Sequence, residues 1–188
     1  RKDDSFLAGM VQVVFSSGFN WKVIANKWDG FEEAFFGFNP KRVAFFDDDD
    51  VARLLGDTRI VRHGPKIVAT VENARFVVRV AEEHGSFSKF LKRWPQEDQV
   101  GLLEHLKTHG ARMGGNTGQY FLRFNGWDGF IISRDVSAAL VREGVVNKPP
   151  MGKAAMRKVQ AAFNAWHEET GKSRVEISRT LALSIGPS

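Results

Sequence analysis

The chain has 188 residues, with 27 basic side chains against 22 acidic ones and a net charge of +5 when histidine is neutral. That length suits one domain with a real core, and 43% apolar with 26% charged residues excludes disorder and fibrous repeats. Zero cysteines exclude a disulfide scaffold, a thiol nucleophile, an iron–sulfur cluster and cysteine-ligated zinc, and no apolar run approaches the ~18 residues of a membrane span.

Arg1-Lys2-Asp3-Asp4 has no apolar segment behind it, so no signal peptide is expected. The chain also opens without methionine, which leaves upstream residues to be expected, and a cytoplasmic location is the default. The aromatic set is sixteen Phe and five Trp with one Tyr, which suits a dense interior and supplies rings for stacking. The mild basic excess permits an anionic partner without requiring one.

Helical signals run in series. Residues 5–15 carry Phe6, Leu7, Met10, Val13 and Val14 at i, i+3, i+4 spacing, with Asp4 or Ser5 as cap. After Gly18-Phe19-Asn20, residues 21–28 read as a second short helix. Asn39-Pro40 is a cap followed by proline at the first helical position, opening a helix to Phe46. The acidic run 47–50 precedes another helix; it lacks the alternating ligand spacing of a calcium loop, so a charged helix start is the preferred reading. Residues 65–83 form the longest periodic stretch, with Gly85 beyond the end.

Short helices are then expected over 86–94, 98–109, 117–124 and 133–142, followed by a proline-bearing loop and helices over 152–169 and 175–185. Gly129-Phe-Ile-Ile132 is too short to build a sheet. The fold class is all-α, a compact bundle of many short helices in one domain spanning residues 1–188.

The stretch richest in chemistry is Leu106-Lys-Thr-His-Gly-Ala-Arg-Met-Gly-Gly-Asn-Thr-Gly-Gln-Tyr-Phe121. Two helices meet there in a turn holding Gly110, Gly114 and Gly115, a helical hairpin over about 98–126. Such glycines allow positive φ and close approach of a foreign backbone, and the amides at the second helix's start suit a phosphate oxygen. Lys107, Arg112, Gly114, Gly115 and Thr117 are the candidate DNA-backbone contacts, a plain helical turn being the alternative. His105 and His109, at i, i+4, lack a third metal ligand nearby and read as a solvated or phosphate-facing pair. His63 is either a phosphate contact or a cap, and Trp166 and His167 read as core.

Asp135 lies twenty residues after Gly115 and opens the next helix. With the hairpin, that placement resembles the helix-hairpin-helix DNA glycosylase superfamily, in which such an Asp faces the sugar of an extruded nucleotide. The resemblance implies that Asp135 stabilises oxocarbenium charge or orients water, with a helix N-cap as the alternative role. Bifunctional members carry a lysine two places after the hairpin's last glycine; here Thr117 stands there, so Schiff-base chemistry is not expected.

Further strings narrow the likeness. Phe36-Gly-Phe-Asn-Pro-Lys-Arg-Val43, Asp50-Val-Ala-Arg-Leu-Leu55, Ile60-Val-Arg-His-Gly-Pro-Lys-Ile67 and Val71-Glu-Asn-Ala-Arg75 together resemble bacterial 3-methyladenine DNA glycosylase of the constitutive Tag type, over residues 5–136. Gly18-x-x-Trp21 matches that family's aromatic-bearing turn. The resemblance implies a monofunctional N-glycosylase for alkylated purines acting on double-stranded DNA, as a monomer without cofactor. A non-catalytic hairpin protein that binds distorted duplex is the alternative, and a helical domain with no nucleic-acid role is the third.

Trp21, Phe19 and Phe15 become candidate base-binding rings, with core packing as the other reading of each. The departures are specific. The family's zinc site of two cysteines and two histidines has no counterpart, so no metal is expected. Its pocket glutamate, seven to eight residues before the tryptophan, falls on Val13 and Val14, leaving Gln12 as the nearest polar group and second catalytic candidate after Asp135. The family's N-terminal tyrosines are also missing.

Overall fold

The computed structural model describes residues 1–18 and 20–187. It is all-helical, with no strand among the described residues. Among the described residues twelve α-helices run in chain order: α1 Asp3–Ser16, α2 Trp21–Asn26, α3 Trp28–Ala34, α4 Pro40–Ala44, α5 Asp48–Leu55, α6 Gly64–His84, α7 Phe87–Arg93, α8 Gln99–His109, α9 Asn116–Phe124, α10 Arg134–Arg142, α11 Gly152–Thr170 and α12 Arg174–Leu183.

Most helix starts are set by the local residues that announced them. Asn39 accepts from the Lys41 and Arg42 amides ahead of Pro40, and Ser86 accepts from the Lys89 amide. Asp47 and Asp50 form a reciprocal capping box, each side chain accepting the other's backbone N–H at 3.0 Å, so the acidic run is a helix start. His63 also acts as a cap: its Nδ1 accepts the Lys66 amide at 3.2 Å.

Three expectations differ, and one turn adds to them. α1 begins after Lys2 with no side-chain cap, because neither Asp4 nor Ser5 fills that role and Asp3 instead accepts the Phe87 amide across the molecule at 3.0 Å. The helix expected over 21–28 stops at Asn26, and α3 begins at Trp28 and runs to Ala34, where no helix is expected from the sequence. Phe36–Phe38 forms a 3₁₀ turn in which both phenylalanines have positive φ, held by Phe38 stacking on Trp28 at 5.0 Å and by Arg42 over the Phe36 ring at 3.8 Å. α4 is also shorter than expected, stopping at Ala44.

α1 is the central strut. One side packs Phe6 and Met10 with Phe76, Phe87, Leu102 and Phe121; the other packs Leu7, Val11 and Phe15 with Phe31, Phe35, Phe38 and Ile67. A helix buried on two sides must be apolar nearly all round, as residues 6–15 are. A third cluster, built on Phe130, Leu140, Val159 and Phe163, joins α10–α12. Gln99 ties it to α8, donating to the Phe130 carbonyl and accepting its amide, both at 2.9 Å. Asp128 likewise caps α12 through the amides of Arg174 and Val175.

Candidate functional site

The hairpin is α8, the loop of residues 110–115, and α9. Asp98 caps α8 through the Gly101 amide at 3.0 Å, and the Gly110 amide closes it on the Leu106 carbonyl at 2.9 Å. From there α6 shapes the loop. Buried Asn73 donates to the Ala111 carbonyl at 3.0 Å and accepts the Ala111 amide at 2.7 Å, a two-point clamp on one peptide residue. Met113 is buried beside it, while Arg112, between the two anchors, is exposed and held at φ 57°.

Gly115 then takes φ 58°, ψ −142°, a region that essentially only glycine occupies. α9 follows without any side-chain cap, so its first amides are available to an outside acceptor. A Cβ built on Gly114 would meet only the stem of Lys107, at 3.5 Å, which puts a lysine beside the bare backbone.

Two cavities flank the start of α9, and Asn116 lines both. The smaller, 280 Å³, is walled by Val13, Ser16, Ser17, Gly18, Trp21, Thr117 and Tyr120. Trp21 is 41% exposed, with Tyr120 at 5.7 Å and Phe124 edge-on at 5.6 Å between ring centres. The aromatic rings thus support one another behind an accessible indole. The larger cavity, 490 Å³, runs from Lys107, Gly114 and Gly115 to Lys153 and Met156 of α11.

Lys66 fixes the end of α1 at the small cavity. Its side chain is buried, and its Nζ donates to the carbonyls of Phe15 at 3.2 Å and Ser17 at 2.5 Å. Burial, and secondarily the charge of Arg112, hold its pKa below the ordinary lysine value. Those bonds satisfy carbonyls that the helix end leaves open, and set the turn that leads to Trp21.

The sequence candidates fall in different places. Trp21 and Thr117 meet at the small cavity, which makes Thr117 a cavity-wall residue. Lys107 and Arg112 are exposed on the hairpin, and Gly114 and Gly115 line the larger cavity. Phe19 lies outside the described residues. Phe15 is wholly buried, edge-on to Phe31 at 4.8 Å, because it belongs to the second core; it is a packing residue and not a base contact. Gln12 is exposed on α1 and does not wall the cavity, where Val13 stands instead.

Asp135 sits half-buried in the first turn of α10, while Ser133 supplies the cap by accepting the Val136 amide at 3.1 Å. It borders a separate 370 Å³ cavity with Arg134 and the C-terminal Ile185, Gly186 and Pro187. The Asn116 side chain donates to the Ile132 carbonyl at 3.2 Å, which ties the segment leading to Asp135 to the hairpin.

His105 and His109 pack ring against ring at 4.4 Å, with His105 also edge-on to Phe90 at 5.0 Å. No group of three His, Cys, Asp or Glu side chains suited to a metal occurs among the described residues, and no helix there is long and apolar enough to cross a membrane. Sequence reasoning missed Ser16, Tyr120 and Asn73 and assigned no role to Lys66. For Lys66 and Asn73 the signal was their place inside the quoted family strings; for Ser16 and Tyr120 it was proximity to Trp21 and to the hairpin glycines.

An all-helical protein with a glycine-turn hairpin walling an aromatic cavity is the class that fold and site define, and solved structures of 3-methyladenine DNA glycosylase I superpose on this fold. The protein from Staphylococcus aureus, solved to explain its recognition of 3-methyladenine, superposes with a TM-score of 0.57 at 27% identity, covering 64% of this chain and 74% of that one. A variant of 3-methyladenine DNA glycosylase I in complex with 3-methyladenine matches equally, at 0.57 and 27%, over 64% of this chain and 75% of the other.

The model of the methyladenine glycosylase family matches residues 2–116, and the chain belongs to that family. DNA-3-methyladenine glycosylase 1 of Escherichia coli (strain K12) is 30% identical over 96 residues, 49% of this chain and 51% of that protein. DNA-3-methyladenine glycosylase of Haemophilus influenzae is 28% identical over 75 residues, 40% of each chain. The chain therefore spans about half or less of the curated relatives it matches.

Proposed function

We propose that the protein is a monofunctional DNA N-glycosylase that releases alkylated purines such as 3-methyladenine from duplex DNA. One observation carries the reading: Asn116 and Thr117, which start the hairpin's second helix, also wall the Trp21 cavity. A strand held by its phosphates at the hairpin brings an extruded base to a stacking ring. The relatives' names point to the same chemistry.

An N-alkylated purine is cationic, so its glycosidic bond is weakened and the base departs neutral. The electron pair of the C1′–N bond goes to the base, and water bonds to C1′ and loses a proton. We assign Asp135, in the helix that follows the hairpin, to the positive charge developing on the sugar, which lies outside the base cavity. Thr117 in place of lysine leaves no amine there for a Schiff base.

A second reading, binding of damaged duplex without base release, is favoured by one feature: no carboxylate walls the Trp21 cavity among the described residues. Incubating the protein with methylated duplex and separating released bases by chromatography distinguishes the two. Release of 3-methyladenine that falls sharply in Trp21→Ala supports the glycosylase, since one stacked base is worth ~1–3 kcal/mol. Lesion-selective binding with no free base supports the second reading, and absence of salt-dependent DNA affinity refutes both.

A further inference from the structure

One residue lining the Trp21 cavity carries a polar group that the fold itself does not use. Ser16, the last residue of α1, is only 3% exposed, yet its Oγ has no hydrogen-bond partner. A serine near a helix end ordinarily turns its hydroxyl back to a carbonyl one turn earlier or out to water. Burial removes the second option here and the first is not taken. A buried hydroxyl left in this state destabilises the free protein, so it is the kind of orphan that a ligand explains.

The rest of the wall limits what that ligand can be. Val13 is one turn before Ser16 and offers only methyl groups, while Trp21 presents an accessible ring face. The flat occupant that stacks on the indole therefore meets the Val13 methyls and otherwise only neutral polar groups, those of Ser16, Ser17, Asn116, Thr117 and Tyr120. A purine fits this set, because its ring nitrogens accept hydrogen bonds and its exocyclic amine donates them, and a hydroxyl can answer either.

We propose that Ser16 is a specificity-determining residue, whose Oγ turns about χ1 into the cavity when a purine stacks on Trp21 and hydrogen-bonds the purine's polar edge. This rests on the reading of the cavity as the base pocket. It assigns to a neutral hydroxyl the polar recognition that no carboxylate of the wall provides. Lys66 supports the arrangement by binding the carbonyls on either side, those of Phe15 and Ser17, which fixes where the Ser16 side chain starts.

The test titrates free 3-methyladenine into the parent, Ser16→Ala and Ser17→Ala by calorimetry, and records each melting temperature. Ser17 walls the same cavity but is exposed, so water already serves its hydroxyl. Ser16→Ala should weaken binding about five- to tenfold, the worth of one hydrogen bond, with a melting temperature equal to or above the parent's. Ser17→Ala should change binding less than twofold.

Parental affinity in Ser16→Ala overturns the role of Ser16, and leaves the base-pocket reading intact if the parent binds 3-methyladenine and releases it from methylated DNA. A lowered melting temperature in Ser16→Ala overturns it too, since that loss means a partner within the fold. A parent that neither binds nor releases 3-methyladenine overturns the base pocket and the Ser16 assignment together.

Discussion

The hairpin glycines can be separated by what each one does. Gly115 has φ 58°, ψ −142°, and a Cβ there would touch nothing within 4 Å. Substitution by alanine therefore costs backbone strain alone, ~1–3 kcal/mol, which in a domain of this size lowers the melting temperature by about 2–12 °C. Gly114 is different. Its φ is not positive, and its Cβ would make only ordinary contact with the Lys107 stem at 3.5 Å. Gly114→Ala should keep or slightly raise stability, by up to ~1 kcal/mol through a stiffer unfolded chain.

The same methyl, however, fills the gap between bare backbone and Lys107 where a phosphate must come close. Losing one backbone hydrogen bond to a charged oxygen costs ~1.5–3 kcal/mol, about ten- to 150-fold in Kd. Fluorescence anisotropy with undamaged and methylated duplexes should show an equal loss for both, because phosphate contacts carry no lesion information. The salt slope should persist in Gly114→Ala and flatten by about one in Arg112→Ala. A Gly114→Ala protein with parental melting temperature and parental Kd would refute the close approach at this loop.

Asn73→Ala removes both bonds to Ala111 and leaves its amide and carbonyl unserved, so thermal melting should fall by the equivalent of about 2–4 kcal/mol, with DNA affinity falling too as the loop loosens. Asp135→Asn should preserve stability, since Ser133 is the cap, but lower the single-turnover rate by ~10²–10³; full rate at saturating enzyme would remove Asp135 from the chemistry. His105 has its pKa lowered, first by burial and then by His109, so the folded state takes up its proton less readily than the unfolded state. Stability should accordingly decline as pH falls through the ordinary histidine range near 6.5, and His105→Gln should show a shallower decline in melting temperature against pH.

Local signals carried much of this protein in its sequence. Asn39-Pro40, the 47–50 acidic run, Ser86 and Asp98 announced helix starts because a cap reaches only two or three residues along its own chain. The hairpin was legible for the same reason: Gly110, Gly114 and Gly115 mark a turn by their own backbone freedom. Tertiary structure alone decided the rest. Phe15 and Trp21 are both aromatic residues near the end of α1, yet two cores claim α1 and bury the first, while Tyr120 and Phe124 from a distant helix leave the second exposed as a supported ring. Asn73 lies thirty-eight residues from the loop it clamps, and Ser16 carries a buried, unpartnered hydroxyl only because of how its neighbours pack around it. Asp135 keeps the spacing expected of it but opens onto the C-terminal residues 185–187. A sequence records spacing along the chain; which side chains share a cavity depends on how α1, α6 and α9 pack, and that is settled by the sum of long-range contacts.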